Sequence, residues 1–334
     1  MKKKVLVLTT GGTIVSADSE TGLRPQITSD QFRKYLADLD SYFTYDIHNL
    51  MNLDSSNIQA EEWQAIAHAV MESLDDYDGI VITHGTDTMA YTASALSFML
   101  QNLHKPVVLT GSQIPISRLL TDARTNLYTA FSAVENAIPG VSIAFDHRII
   151  RGCRAVKTRT MGFEAFESVN APCLGELFAD GMHLGRIDPV PEDRKTVLKD
   201  RLCKDVFLLK LIPGTRPEIF EALGKMKYRG IVLETFGAGG MHFLRRNLLP
   251  ELKKLTDSGI SVAACSQCLY DTSDFSIYEV GKRLLECGII PARDMTTEAV
   301  VTKLMWALGQ TDDPQEVVRM FRTNYAGEIR VPQE

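Results

Sequence analysis

Three short apolar runs in this chain stop on threonine beside glycine, and that repeated ending constrains the fold more than any other feature. Val5-Leu6-Val7-Leu8 leads into Thr9-Thr10-Gly11-Gly12-Thr13-Ile14, and Ile80-Val81-Ile82 into Thr83-His84-Gly85-Thr86-Asp87-Thr88. The third run, Val107-Val108-Leu109, leads into Thr110-Gly111-Ser112-Gln113. Short continuous apolar runs separated by longer stretches of helical periodicity are the pattern of βαβ units around a parallel sheet. Ligands of open α/β sheets bind outside the carboxyl ends of the strands. Segments far apart in sequence are therefore expected to converge on one cleft lined by hydroxyls and backbone N–H groups.

The alternation continues along the chain. Strands are expected over 5–9, 79–83, 107–110 and 141–145, and a second group over 206–212, 230–234 and 260–264. Helices are expected over 61–74, where Trp63, Ile66, Val70 and Leu74 share one face, and over 87–100, 119–136 and 296–308. The last of these starts behind a Thr296/Thr297 cap position. Between the two strand groups lie Pro189, Pro191 and many charges, the composition of a domain boundary. A length of 334 residues suggests about two domains. The expected architecture is two α/β domains. A larger Rossmann-like N-terminal domain (1–185) has a mostly parallel sheet, a linker covers 186–205, and a smaller C-terminal α/β domain covers 206–334.

Several function classes are disfavoured. A net charge of −6, from 36 basic and 42 acidic side chains, argues against a nucleic-acid partner, because phosphate binding wants a basic face. Segment 10–14 matches neither G-x-G-x-x-G nor the Walker pattern, so a phosphate cradle is not indicated. There is no G-x-S-x-G elbow and no H-E-x-x-H helix. Cys265 and Cys268 form one C-x-x-C without a second ligand pair, so no metal and no cofactor are expected, and the six cysteines are expected as free thiols. The apolar run after Met1-Lys2-Lys3-Lys4 is too short for a secretory signal, and no run is long enough to span a membrane. A cytoplasmic protein without a membrane partner is expected.

Glycine and threonine are also ordinary turn and cap residues, and Thr86 or Asp87 would serve to cap the helix that follows. Three similar endings, one with a carboxylate directly after its threonine, favour a site instead. A threonine hydroxyl becomes a nucleophile when a base takes its proton or neighbours stabilise the alkoxide. The backbone amides of Gly12 and Gly85 are candidate oxyanion donors, worth roughly 3 kcal/mol each. Asp87 offers a carboxylate for a substrate ammonium. A lysine would serve as the base, but spacing alone does not choose among those present.

The two threonine segments, 10–14 and 83–88, resemble the two signature segments of bacterial-type L-asparaginases. The likeness extends through Leu109-Thr110-Gly111-Ser112-Gln113, Thr121-Asp122-Ala123-Arg124-Thr125-Asn126-Leu127, Asp294-Met295-Thr296-Thr297-Glu298-Ala299 and Thr302-Lys303-Leu304, essentially the whole chain, and is closest to the cytoplasmic, type I branch. This resemblance implies hydrolysis of asparagine, with glutamine as a lesser substrate, through an acyl-enzyme. It implies Thr13 as primary nucleophile and Thr86, Asp87 and Lys157 as a second catalytic group. Lys157 lies in Ala155-Val156-Lys157-Thr158-Arg159-Thr160. Ser55 would bind the substrate α-carboxylate, with Ser56 beside it and Asp54 shaping the loop. Family members assemble as homodimers or homotetramers. Ser266-Gln267-Cys268 resembles a segment near an effector site, so a second asparagine is expected near Ser266 and Cys268.

One position departs from the family. Its mobile loop often carries a tyrosine hydrogen-bonded to the first threonine, and Leu23 stands there in this chain. The proton acceptor for Thr13 is therefore not identified by the resemblance. Two other functions fit the same fold. One is a component of a tRNA-dependent amidotransferase, a branch that typically carries an extra N-terminal domain. The other is a non-catalytic small-ligand binding module.

Overall fold

The computed structural model describes residues 2–19, 22–25 and 28–330; of 17–19 and 22–25 only the backbone is described. The chain divides into two compact units, Met1–Asp200 and Arg201–Glu334.

The first unit is built on an eight-stranded sheet. Its strands are β1 (Lys3–Gly11), β2 (Phe43–Leu53), β3 (Gly79–Thr83), β4 (Pro106–Thr110), β5 (Gly140–Phe145), β6 (Arg148–Arg151), β7 (Gly175–Phe178) and β8 (Gly181–Leu184). Their order across the sheet is β8-β7-β6-β5-β4-β3-β1-β2. The first five strands are mutually parallel; β5 to β8 run as an antiparallel meander. From β1 the chain crosses to β2 on one side, and the next strand, β3, joins on the other. The switch point of the sheet therefore lies between β1 and β3, where an α/β sheet opens a crevice for a ligand.

Successive residues of Val5–Leu8 and of β3 point to opposite faces, yet all are buried. Both faces of the central sheet are therefore covered, which is why these strands read as unbroken apolar runs rather than alternating ones. Phe43 and Tyr45 of β2 pack edge-on against Phe131, with ring centroids 5.1 and 5.9 Å apart.

Helices α1 (Ala60–Ser73), α2 (Met89–Met99) and α3 (Ala123–Glu135) lie where helices were expected. The expected helix over 119–136 starts four residues late, at Ala123. Leu119 and Leu120, the first two residues of that expected span, are 97% and 78% exposed in the preceding loop. Within 186–205, Val197–Leu198 pairs antiparallel with Leu100–Gln101.

The second unit holds four parallel strands in sequence order: β9 (Val206–Lys210), β10 (Gly230–Thr235), β11 (Ser261–Ser266) and β12 (Ile290–Pro291). Helices α4 (Glu218–Lys225), α5 (Leu249–Asp257) and α6 (Glu279–Glu286) connect them, and α7 (Thr297–Gln310) and α8 (Pro314–Arg322) follow. Phe220, Leu233, Leu252, Val262 and Leu284 share its core. Thr296 caps α7 as expected, its hydroxyl accepting from Ala299 N at 3.2 Å. Among the described residues no helix is long and apolar enough to cross a membrane.

A fully buried ion pair fixes the chain after α8. Lys303 on α7 donates to Glu328 (2.5 Å) and to the carbonyls of Phe321 (3.1 Å) and Thr323 (2.8 Å). Glu328 also accepts from the backbone amides of Tyr325 and Ala326. Removing one partner of such a pair leaves an uncompensated charge in a dry site. Lys303→Met is expected to lower unfolding free energy by about 3–5 kcal/mol in denaturant titration; an unchanged midpoint would refute this assignment.

Candidate active site

The ends of β1, β3 and β4 are in register. Thr9 stands opposite Thr83, and Thr83 opposite Thr110. Buried hydroxyls stitch them together: Thr10 donates to Thr83 O (2.8 Å) and Thr110 to Ala144 O (2.8 Å). Beyond β1 the chain turns through Gly12, at φ +80°, whose amide donates to Leu53 O at 3.0 Å. A Cβ on Gly12 would lie 2.4 Å from Gly85 N, and one on Gly85 would lie 2.6 Å from Ser55 Oγ. The Gly12 and Gly85 loops thus meet backbone to backbone, and the Ser55 side chain closes directly on Gly85, approaches that a Cβ at either position would block. Thr13 opens the 3₁₀ turn Thr13–Val15 and is half-buried.

Thr86 and Asp87 do not cap the helix that follows. The N-cap of α2 is Thr88, whose hydroxyl makes no cap bond and donates instead to Ser55 O at 2.7 Å. Thr86 is buried and faces Lys157, which sits on strand Ala155–Lys157 paired with Phe166–Ser168. The Lys157 ammonium donates to Thr86 Oγ1 (2.8 Å) and to Asp87 Oδ1 (2.6 Å). Because that ammonium has only donors, the Thr86 hydroxyl accepts from it and directs its own proton toward Gln113 Oε1, at 3.4 Å. An ammonium so placed stabilises an alkoxide on Thr86.

Asp54, Ser55 and Ser56 form the turn after β2. Asp54 Oδ1 accepts from the hydroxyl (2.5 Å) and the amide (2.8 Å) of Ser56. These two bonds hold its carboxyl below the usual carboxylate range. Asp54 thus shapes the turn that seats Ser55 against Gly85.

His84 is completely buried beside this site. Its Nδ1 lies 2.6 Å from Gly85 O and its Nε2 2.9 Å from Thr92 Oγ1. A carbonyl only accepts, so the ring proton is on Nδ1 and Nε2 accepts from Thr92, which in turn accepts from Trp63 Nε1 at 3.0 Å. Every polar atom is satisfied with a neutral ring, and burial pushes the pKa down to about 4. The ring anchors the Gly85–Thr86 peptide and carries no charge at neutral pH.

Family models match nearly the whole chain: "Asparaginase, N-terminal" over residues 4–187 and "Glutaminase/Asparaginase C-terminal domain" over 205–321. The chain belongs to the asparaginase family. It is thereby an enzyme of the amidohydrolase class. It is 44% identical to an L-asparaginase of Thermococcus kodakarensis over 328 residues, covering 98% of this chain and 99% of that one. A solved structure, the thermostable L-asparaginase from Thermococcus kodakarensis, superposes with a TM-score of 0.93 at 42% identity, over 98% of this chain and all of that one. The chain is also 37% identical to a glutamyl-tRNA(Gln) amidotransferase component of the same organism, over 97% of its own length and 76% of that protein's.

The asparaginase-family motifs thus come together within the first unit at Gly12–Thr13, Asp54-Ser55-Ser56, Gly85-Thr86-Asp87 and Lys157. Ser266 and Cys268 belong to the second unit, where Ser266 Oγ accepts from Cys268 N at 2.9 Å in a local turn. The Leu23 side chain lies outside the described residues. None of the six cysteines, all of them among the described residues, is in a disulfide, and burial pushes the Cys265 thiol up to about 12. Among the described residues no cluster of His, Cys, Asp or Glu could hold a metal ion. Sequence reasoning assigned no role to Gln113 or His84. Both stand inside the strand-end motifs, His84 directly before Gly85 and Gln113 two residues after Gly111, and that placement was the available signal.

His84 makes stability depend on pH. Its folded pKa of about 4 lies below its ordinary value of 6.5, so between these values the unfolded chain binds the extra proton. Stability from this group is full above pH 6.5 and is lost as pH falls toward 4, by roughly 3 kcal/mol. His84→Asn, whose amide donates to Gly85 O without titrating, should show a correspondingly smaller loss between pH 7 and pH 4 in chemical denaturation. An unchanged pH dependence would contradict the buried neutral ring.

Proposed function

We propose that this asparaginase-family enzyme is an L-asparaginase, hydrolysing the side-chain amide of L-asparagine to L-aspartate and ammonia through a threonine ester. The observation that carries the reading is the Lys157 ammonium bridging Thr86 Oγ1 and Asp87 Oδ1 at the sheet's switch point. Asp87 receives the substrate ammonium, and the Ser55–Ser56 turn the α-carboxylate, with Asp54 holding that turn. Fixing both ends places the amide carbon for attack, which converts binding into rate.

Thr13 Oγ1 bonds to the amide carbon. The oxyanion faces the backbone amide of Gly85; the amide of Gly12, expected as a second donor, is instead committed to Leu53 O. The C–N bond breaks and ammonia leaves with the threonine proton. A water held by Thr86 and Lys157 then adds to the ester; the C–O bond breaks, aspartate departs and Thr13 regains its proton. Leu23 supplies no hydroxyl to Thr13, so activation of Thr13 rests on another group in this chain.

The tRNA-dependent amidotransferase reading draws on the 37% identity to that relative, but the identity to the asparaginase is higher, at 44%. Free asparagine, with no tRNA or partner, should therefore suffice as substrate. The protein acts in the cytoplasm as a homodimer or homotetramer, and a second asparagine near Ser266 and Cys268 would make its kinetics sigmoidal.

The test is ammonia release by the purified protein from asparagine and glutamine over a range of concentrations. Thr13→Ala and Thr86→Val are each expected to lower kcat by roughly a thousandfold while thermal unfolding stays cooperative. Near-wild-type turnover in Thr13→Ala would sink the nucleophile assignment. Activity dependent on tRNA would sink the substrate assignment.

A further inference from the structure

The segment Thr121-Asp122-Ala123-Arg124-Thr125-Asn126 has no part in the chemistry above, yet it grips the third strand end. Asp122 occupies the N-cap of α3 but makes no side-chain cap bond to its own helix. An aspartate there ordinarily accepts from the helix's first turn, a bond worth about 1 kcal/mol. Asp122 turns its carboxylate outward instead. It accepts from Gln113 N (2.9 Å to Oδ2, 3.1 Å to Oδ1) and from Ile114 N (3.0 Å). Asn126, itself buried, donates to Asp122 Oδ2 (3.1 Å) and to Gly111 O (3.0 Å) and accepts from Asp146 N (2.9 Å). Thr121 completes the grip, donating to Ile114 O at 2.9 Å.

The segment so held carries Gln113. Its Nε2 donates to Thr160 O (3.2 Å) and Gly162 O (3.0 Å). Two carbonyls on that side fix which end of the amide is nitrogen, since an oxygen there would face two acceptors. Oε1 is thereby turned to Thr86, the hydroxyl that also accepts from Lys157.

We propose that Asp122, braced by Asn126, is a positioning residue of the amide-hydrolysing site, acting through Gln113 to orient the Thr86 hydroxyl. The inference rests on the function proposed above. Asp122 touches no reacting atom; it sets the backbone of 113 and 114, and the backbone aims Gln113. A charge-assisted grip on two adjacent amides holds a loop more firmly than neutral bonds do, and displacing a positioning group by about 1 Å costs on the order of a hundredfold in rate.

A double-mutant cycle on asparagine turnover tests this. Asp122→Asn and Gln113→Ala are each expected to lower kcat by roughly tenfold or more, with KM changed less than about threefold. Because both act on Thr86 by one route, the double variant should lose no more than about twofold beyond Gln113→Ala alone. Losses that multiply would show that Asp122 acts independently of Gln113 and overturn the proposal, as would wild-type kcat in Asp122→Asn. Where Asp122→Asn does not fold, Asp122→Ser keeps one acceptor and enters the same cycle. Hydrogen exchange at the amides of 113 and 114 provides a readout independent of turnover. Protection should fall in the Asp122 variants, and retained protection counts against the grip. If the wild type releases no ammonia from asparagine, the functional reading fails, while exchange still reports on Asp122.

Discussion

The structure of the first unit depends on one constraint, the in-register parallel pairing of β1 with β3 and of β3 with β4. Parallel register sets three strand ends side by side and brings Thr9, Thr83 and Thr110 level. A one-residue slip would turn every side chain of a strand to the opposite face. The buried bonds from Thr10 to Thr83 O and from Thr110 to Ala144 O oppose such a slip, because breaking them would leave polar groups unpaired in a dry core. Everything catalytic in the proposed site is carried on the residues immediately beyond that line or brought up against it.

Charge and neutrality are partitioned around those ends. On the solvent side Lys157 and Asp87 form an ion pair with Asp87 two-thirds exposed, so the pair contributes geometry more than stability. On the buried side the same loop is anchored by a neutral imidazole whose partners leave no donor or acceptor unsatisfied. A charged ring in that position would demand a counter-ion that the apolar surroundings do not provide. The loop between Gly85 and Asp87 is thus held by an uncharged anchor on one side and a cationic one on the other, and Thr86 sits between them.

Much of the fold was legible because the central strands are covered on both faces. Their residues form unbroken apolar runs bounded by glycine, and β3 matches its expected span residue for residue. The edge strand β2 was not anticipated. Its sequence, Phe43 to Leu53, alternates polar and apolar residues irregularly, since one side meets the core through Phe43 and Tyr45 while the other faces solvent. The helix expected over 119–136 was overextended because two consecutive leucines resemble the start of a periodic face. Periodicity does not reveal that a loop turns them outward.

The sequence by itself determined that threonines stand beside glycines at the ends of parallel strands, and its resemblance to the asparaginases pointed to Lys157 and the Asp54-Ser55-Ser56 turn. Local composition suffices for the strand ends, since apolar runs and glycines report them directly. Tertiary structure decided which groups meet. Lys157 lies 71 residues from Thr86 along the chain, and only the sheet order and the hairpin after β6 bring its ammonium to that hydroxyl. The neutral state of His84 and the outward turn of Asp122 were likewise beyond the sequence. Both follow from which atoms lie within hydrogen-bonding distance, and no residue pattern along one strand or helix encodes that.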